Sequence, residues 1–339
     1  MVRRERPGAV VSATEPALAR FIQQQDLAGA KEDGIWQPLT GGVSSDIWHV
    51  TTSRAEFCVK RALAQLRVAA EWEADVGRNA FEWEYMQVAA AVVPGSVPTP
   101  LAHDPDQGLF AMAWLAPGDH RLWKNELLAG RADPAFAAAV GDLVGRIHAA
   151  TARDPSIPPR FATDANFHAL RLDAYLLTTA RAHPDLADRI EAIATRTATT
   201  RLALVHGDVS PKNILIGPSE PVLLDAEVAW YGDPAFDLAF CLNHLAIKAG
   251  FLADARDDLA ACFGQLSGHY FRHVDWEAAE ALEARAAALL PALALARVDG
   301  KSPVEYLDEG HRETLRKRAR AAVAADCTTL SNAFERLTG

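Results

Sequence analysis

The stretch Val205-His206-Gly207-Asp208-Val209-Ser210-Pro211-Lys212-Asn213-Ile214-Leu215-Ile216, followed by Val222-Leu223-Leu224-Asp225-Ala226-Glu227, decides how the rest of the chain is read. Short apolar runs at 202–205, 214–216 and 222–224 read as strands enclosing polar turns, which puts reactive side chains on loops held by short strands. Phosphoryl transfer needs a carboxylate to position or deprotonate an attacking hydroxyl, and oxygen ligands to hold a divalent cation against phosphates. Asp208 suits the first task, Asn213 and Asp225 the second. Mg²⁺ keeps several waters, so one carboxylate and one amide oxygen suffice from the protein. Either turn alone reads as ordinary capping chemistry. Both together, with an Asp closing the next strand, point to a reaction centre.

His206-x-Asp208 followed by Asn213, a strand and Asp225 resembles the catalytic core of the aminoglycoside phosphotransferase and choline kinase superfamily. The resemblance implies an α+β, two-lobed, protein-kinase-like fold, with a small antiparallel-sheet lobe over 1–115 and a larger helical lobe over 116–339. It implies ATP and Mg²⁺ as cofactors, Asp208 as catalytic base, Asn213 and Asp225 as metal ligands, and His206 as support for the loop. Tyr231-Gly232-Asp233-Pro234-Ala235-Phe236-Asp237-Leu238-Ala239 resembles a further segment of that superfamily, in which the second Asp, here Asp237, braces the catalytic loop.

Working outward toward the N-terminus, Thr14, Pro16, Leu18, Phe21 and Ile22 fit a capped amphipathic helix closed by Gly29. Residues 36–60 then read as three antiparallel strands, 69–91 as a helix, and 98–115 as a second strand pair. Lys60 ends the apolar run Phe57-Cys58-Val59, where a cation can be held to pair with phosphate oxygens. Glu82 and Glu84 on the following helix compete to orient it. Arg67, Glu71, Trp72, Arg78, Phe81-Glu82 and Pro94-Gly95-Ser96-Val97-Pro98 resemble the 5-methylthioribose kinases, and that resemblance favours Glu82. Gly41-Gly42-Val43-Ser44-Ser45 is the expected phosphate-covering hairpin, with Gly41, Gly42, Ser44 and Ser45 near the phosphates. Met112 and Trp114, in Met112-Ala113-Trp114-Leu115, fall where the superfamily's hinge offers backbone groups to adenine.

Beyond residue 117 the chain reads as mostly helical, with long Ala- and Leu-rich stretches at 135–150, 170–182 and 185–197. At 339 residues it exceeds what one hydrophobic core organises, and two lobes are the expectation. A net charge of -10 repels a phosphate backbone, so no nucleic-acid partner is expected. Cys58, Cys241, Cys262 and Cys327 show neither a C-x-x-C pair nor zinc spacing, and read as reduced thiols of a cytoplasmic protein. The apolar region 286–296 is too short to span a bilayer and reads as a buried helix, so no membrane partner is expected.

The expected activity is transfer of the ATP γ-phosphoryl group to a hydroxyl of a sugar-like or amino-alcohol metabolite, by a monomer or homodimer. An aminoglycoside-type antibiotic phosphotransferase and a nucleotide-binding pseudokinase are the alternatives. Cationic aminoglycosides would need gathered carboxylates, for which Asp257, Asp258, Glu277, Glu280 and Glu283 are the candidates. The methylthioribose kinases carry adjacent arginines late in the chain; here that region reads Arg297-Val298-Asp299-Gly300-Lys301, which fits a polar turn at a helix end as well as an acceptor contact. His244 and Lys248 stand one helical turn apart and admit either a packing role or an acceptor contact.

Overall fold

A computed structural model describes residues 11–12, 15–39, 45–62 and 77–339, and resolves two compact units. One unit comprises the described residues up to Gln87 together with Pro98–Ala116. Its strands are β1 (Val11–Ser12), β2 (Ile35–Pro38), β3 (Ser45–Thr51), β4 (Glu56–Ala62), β5 (Pro100–Asp104) and β6 (Leu109–Ala113). They form one antiparallel sheet in the order β1-β2-β3-β4-β6-β5.

The leading helix, Pro16–Gln24, buries Leu18, Phe21 and Ile22 against Trp36, Val50, Phe57, Val59 and Ala111 of the sheet. Full burial of each large side chain is worth about 1.5–3 kcal/mol, so this face fixes which side of the sheet is core. The helix starts one residue after Glu15 and stops well before Gly29. Asp26 takes a left-handed φ of 60°, and the N–H of Leu27 reaches back to the Ile22 carbonyl at 2.9 Å. That is a Schellman stop built on Asp instead of Gly, so the Gly29 expectation placed the end too late. Thr14 lies outside the described residues.

Side chains alternate across a strand. Phe57 and Val59 belong to the core under the helix, so Cys58 and Lys60 point to the other face of β4. Helix Arg78–Val92 follows, carrying Glu82. The earlier part of its expected span, 69–76, lies outside the described residues.

The second unit comprises Val88–Val97 and Pro117–Gly339. Val88–Val97 is tied there by the Leu223 N–H donating to the Ser96 carbonyl at 2.7 Å. The unit is helical, with two small antiparallel sheets: β10 (Pro221–Leu223), β9 (Ile214–Ile216) and β7 (Arg121–Leu122), and separately β11 (Trp230–Gly232) and β8 (Ala203–Val205). Helix Pro134–Thr151 packs on Arg256–Phe271 so closely that a Cβ on Gly141 would meet the Leu266 carbonyl oxygen at 2.1 Å. Helices Ala235–Phe251 and Ala279–Asp299 are buried along most of their length, the latter including the apolar 286–296 run with Pro291 inside it. Among the described residues no helix is long and apolar enough to cross a membrane.

The expected helix 170–182 is instead a π-helix, His168–Leu177, continued by Thr178–Ala182. All four cysteines are buried and unbridged.

Candidate active site

The loop between β8 and β9 carries His206, Asp208 and Asn213. Gly207 has a φ of +79°, and a Cβ there would meet the Val228 carbonyl oxygen at 2.9 Å, so the turn leading into Asp208 demands glycine. The backbone N–H groups of His206 and Gly207 donate to the two carboxylate oxygens of Asp237, at 2.7 and 2.8 Å. Asp237 sits in the first turn of helix Ala235–Phe251 and is 1% exposed. It also takes a bond from His148 Nε2 at 3.3 Å, while His148 Nδ1 meets the Tyr270 hydroxyl at 2.9 Å. Burial, with Asp237 nearby, pushes the Tyr270 phenol well up, so it keeps the proton it donates. A buried carboxylate with three donors fixes the loop through charge-assisted bonds, each roughly twice as strong as a neutral one.

The Asp208 N–H donates to His206 Nδ1 at 3.1 Å. Burial keeps the His206 ring below its usual pKa despite Asp237, so the ring is neutral, with its proton on Nε2. The Asp208 carboxylate is buried and meets Arg171 Nη2 and Lys212 Nζ, each at 3.0 Å. Burial would raise its pKa, but Lys212 and then Arg171 outweigh burial and hold the carboxyl below its ordinary value. Arg171 also donates to the Gly207 carbonyl, and so binds both the turn and its acid.

Asn213 Nδ2 donates to the Asp208 carbonyl at 3.2 Å. Its amide nitrogen is thereby committed to the loop, and its Oδ1 is the atom left to accept. The Leu224 N–H donates to the Asn213 carbonyl at 2.9 Å, which ties the end of β10 to the loop and sets Asp225 beside Asn213. Asp225 adopts a φ of 66°. Left-handed backbone in a residue with a Cβ costs of order 1–3 kcal/mol and concentrates at functional sites, and the Asp225 carboxylate is near enough to act on Asp208, pushing its pKa upward against Lys212 and Arg171.

In the sheet unit, Lys60 Nζ lies 2.6 Å from Glu82 Oε2, with side chains 3% and 4% exposed. Glu84 lies two residues on along the same helix and is only half-buried. Gly41, Gly42 and Ser44 lie outside the described residues; Ser45 opens β3, buried, opposite Ala62. Met112 pairs with Cys58 on β4, and the Trp114 ring stacks on His49 at 4.1 Å.

Reading the chain misses Arg171, His148 and the Asp233–Arg285 pair, in which Arg285 Nε lies 3.1 Å from the buried Asp233. Arg171 stands in a π-helix, and no spacing pattern announces one; only the Gly-Asp-Pro run around Asp233 gave any signal for the third. Of the late residues, Asp299 is taken by Arg316 and His183, and Lys301 by Asp173, so both shape the turn. Arg297, His244 and Lys248 are buried. The carboxylates considered for a cationic acceptor do not gather: Asp257, Asp258 and Glu280 are exposed, Glu277 pairs with Arg285, and Glu283 accepts the Leu330 N–H.

An antiparallel sheet holding a buried Lys–Glu pair, and a helical unit holding the braced Asp208 loop, define the two-lobed protein-kinase-like fold. Residues 35–282 match the phosphotransferase enzyme family, and the chain belongs to it. It is 26% identical over 216 residues to methylthioribose kinase of Pectobacterium atrosepticum, a match covering 56% of this chain and 54% of that one. The chain thus spans about half the length of the curated relatives it matches. Among solved structures it resembles a choline/ethanolamine kinase family protein of Mesorhizobium loti (TM-score 0.53, 17% identity, covering 95% of this chain and 98% of that one). It also resembles an ADP-bound aminoglycoside phosphotransferase (TM-score 0.51, 16% identity, covering 96% of this chain and all of the other). These likenesses carry the fold.

Proposed function

We propose that this chain is an ATP-dependent kinase of a small hydroxylated metabolite. The observation that carries the reading is the left-handed Asp225 tied beside Asn213 and the Asp208 loop, since a bound phosphate chain gives that costly arrangement a purpose. Asp208 takes the acceptor hydroxyl. The hydroxyl oxygen bonds to the γ-phosphorus as the bridging bond to the β-phosphate breaks, ADP leaves with the electron pair, and the hydroxyl proton passes to Asp208. Arg171 and the Asp237 brace hold Asp208 where that transfer needs it.

The donor set of Asn213 Oδ1 and the Asp225 carboxylate is all oxygen and fits Mg²⁺, which would supply neutralisation of phosphate charge when bound. Lys60, oriented by Glu82, pairs with nucleotide phosphates, and the backbone at Met112 and Trp114 serves adenine. A soluble, cytoplasmic protein acting as monomer or homodimer completes the reading.

The test is acceptor-dependent ADP release with Mg-ATP, run beside Asp208→Asn. The variant is expected to lose about 10²–10⁴-fold in kcat while still binding ATP. Undiminished turnover would remove Asp208 from the reaction, and ATP binding without any turnover would turn the reading toward a pseudokinase.

A further inference from the structure

Helix Ala235–Phe251 places Phe240, His244 and Lys248 at four-residue intervals, on one face. This face adjoins the Asp208 centre through aromatic and cationic groups. Arg171, paired with Asp208, lies over the rings of Tyr175 at 5.7 Å and Phe240 at 5.8 Å. Arg297 donates to the Tyr175 hydroxyl at 3.1 Å and to the Ser302 hydroxyl at 3.0 Å. The Phe240 ring stands 5.8 Å from His244, and Lys248 Nζ stands over the Tyr306 ring at 4.7 Å.

Arg297 is 7% exposed and Lys248 1%, yet neither has a carboxylate within ion-pair distance among the described residues. The nearby acid, Glu305, is held by Lys124. Among the described residues the partners of Lys248 are neutral, the Tyr306 hydroxyl at 3.3 Å and the His244 carbonyl at 3.4 Å. Arg297 Nε and His244 Nε2 are buried without a hydrogen-bond partner among the described residues. Elsewhere the protein gives such cations a counter-charge: Arg171 has Asp208, and Arg285 has Asp233 and Glu277. An uncompensated buried cation is costly, and two beside one reaction centre make a receptor for negative charge.

We propose that the phosphorylated metabolite carries an acidic group, a carboxylate or a phosphate ester, bound by Arg297 and Lys248 while its hydroxyl meets Asp208. The proposal rests on the kinase reading of Asp208 and narrows its acceptor. Cationic aminoglycosides would meet like charge at this face, and a neutral sugar would leave both cations uncompensated. The local field agrees: burial, then Lys124 and Arg297, bring the Lys248 ammonium down to about 7, against the weak opposing pull of Cys241 and Glu305. Burial, then Arg297 and Lys248, drive the His244 ring well below its usual value.

The experiment measures ADP release with Mg-ATP for matched acceptors: gluconate, glucose and glucosamine, and glycerate, glycerol phosphate and glycerol. An acidic member should exceed its neutral and cationic counterparts by about tenfold or more in kcat/KM, and glycerate against glycerol phosphate separates carboxylate from phosphate ester. Lys248→Met and Arg297→Gln should raise KM for that acceptor about tenfold with a smaller change in kcat, and Arg297→Lys should recover part of the loss. Binding of the acidic acceptor near pH 8 should take up a proton in the parent protein and none in Lys248→Met, a signature that a purely structural lysine would not give. Preference for glucose, glycerol or glucosamine overturns the proposal and leaves the kinase reading standing; ATP binding with silence of every acceptor overturns the proposal and turns the reading toward a pseudokinase. Failure to bind ATP overturns the kinase reading and the proposal with it.

Discussion

Lys60 and Lys248 are both shut away from solvent, at 3% and 1% exposure, in opposite electrostatic surroundings. Lys60 has Glu82 at 2.6 Å, whereas Lys248 has a phenol, a carbonyl and an aromatic face. The first charge is compensated within the protein, as the proposed phosphate-binding role requires. The second has no carboxylate within ion-pair distance among the described residues, and the proposed acidic acceptor would supply that charge. Equal burial thus marks two kinds of site, one pre-neutralised and one waiting for charge.

The comparison breaks most sharply at Glu82. Glu82→Gln removes the carboxylate charge 2.6 Å from buried Lys60 and should cost about 3–5 kcal/mol in urea unfolding; an unchanged midpoint would show that the pair does not set Lys60 apart. Lys248→Met should act with opposite sign, stabilising the unliganded protein by about 1–4 kcal/mol near pH 6, because it replaces a buried ion by an apolar chain of similar length. A loss of stability there would make Lys248 a structural residue.

Titration sharpens the contrast. A lysine lowered to about 7 in the folded chain and ordinary in the unfolded one leaves the unfolded state holding the extra proton between those values. Stability should therefore rise with pH above 7, by up to about 1.4 kcal/mol per unit, until the unfolded lysine also titrates. The difference between parent and Lys248→Met isolates that slope, which vanishes if Lys248 is charged throughout. The smallest change is Tyr306→Phe, which removes the hydroxyl at 3.3 Å but keeps the ring under Lys248. A loss of about 0.5–1.5 kcal/mol is expected in thermal unfolding, and a larger one would mean that the hydroxyl, rather than the ring, holds the ammonium.

How much of this was legible follows from where each contact lies in the chain. Asp208, Asn213 and Asp225 could be grouped because their loop and strand are contiguous and their spacing carries the chemistry. The strand reading of 36–60 and 98–115 follows short apolar runs broken by turn signals, and strands β2 to β6 of the sheet fall there. Arg171 escaped because its partner lies far along the chain and its π-helix has no repeat to read. Arg297 was ambiguous, since Asp-Gly with flanking charges is ordinary turn chemistry; the structure gives the turn to Asp299 and Lys301 and leaves Arg297 inside.

The sequence by itself determined the fold class, the phosphotransferase family and the loop that holds its acid, because these depend on local propensity, period and short-range spacing. Tertiary structure alone decided which buried charges are compensated. Compensation is a sum over every charge within a few ångströms in a low-dielectric interior, and those neighbours are scattered along the chain: Glu82 reaches Lys60 from a following helix, while Arg297 and Lys248, on two different helices, are brought beside Tyr175 and Tyr306 with no carboxylate of the described residues within ion-pair distance.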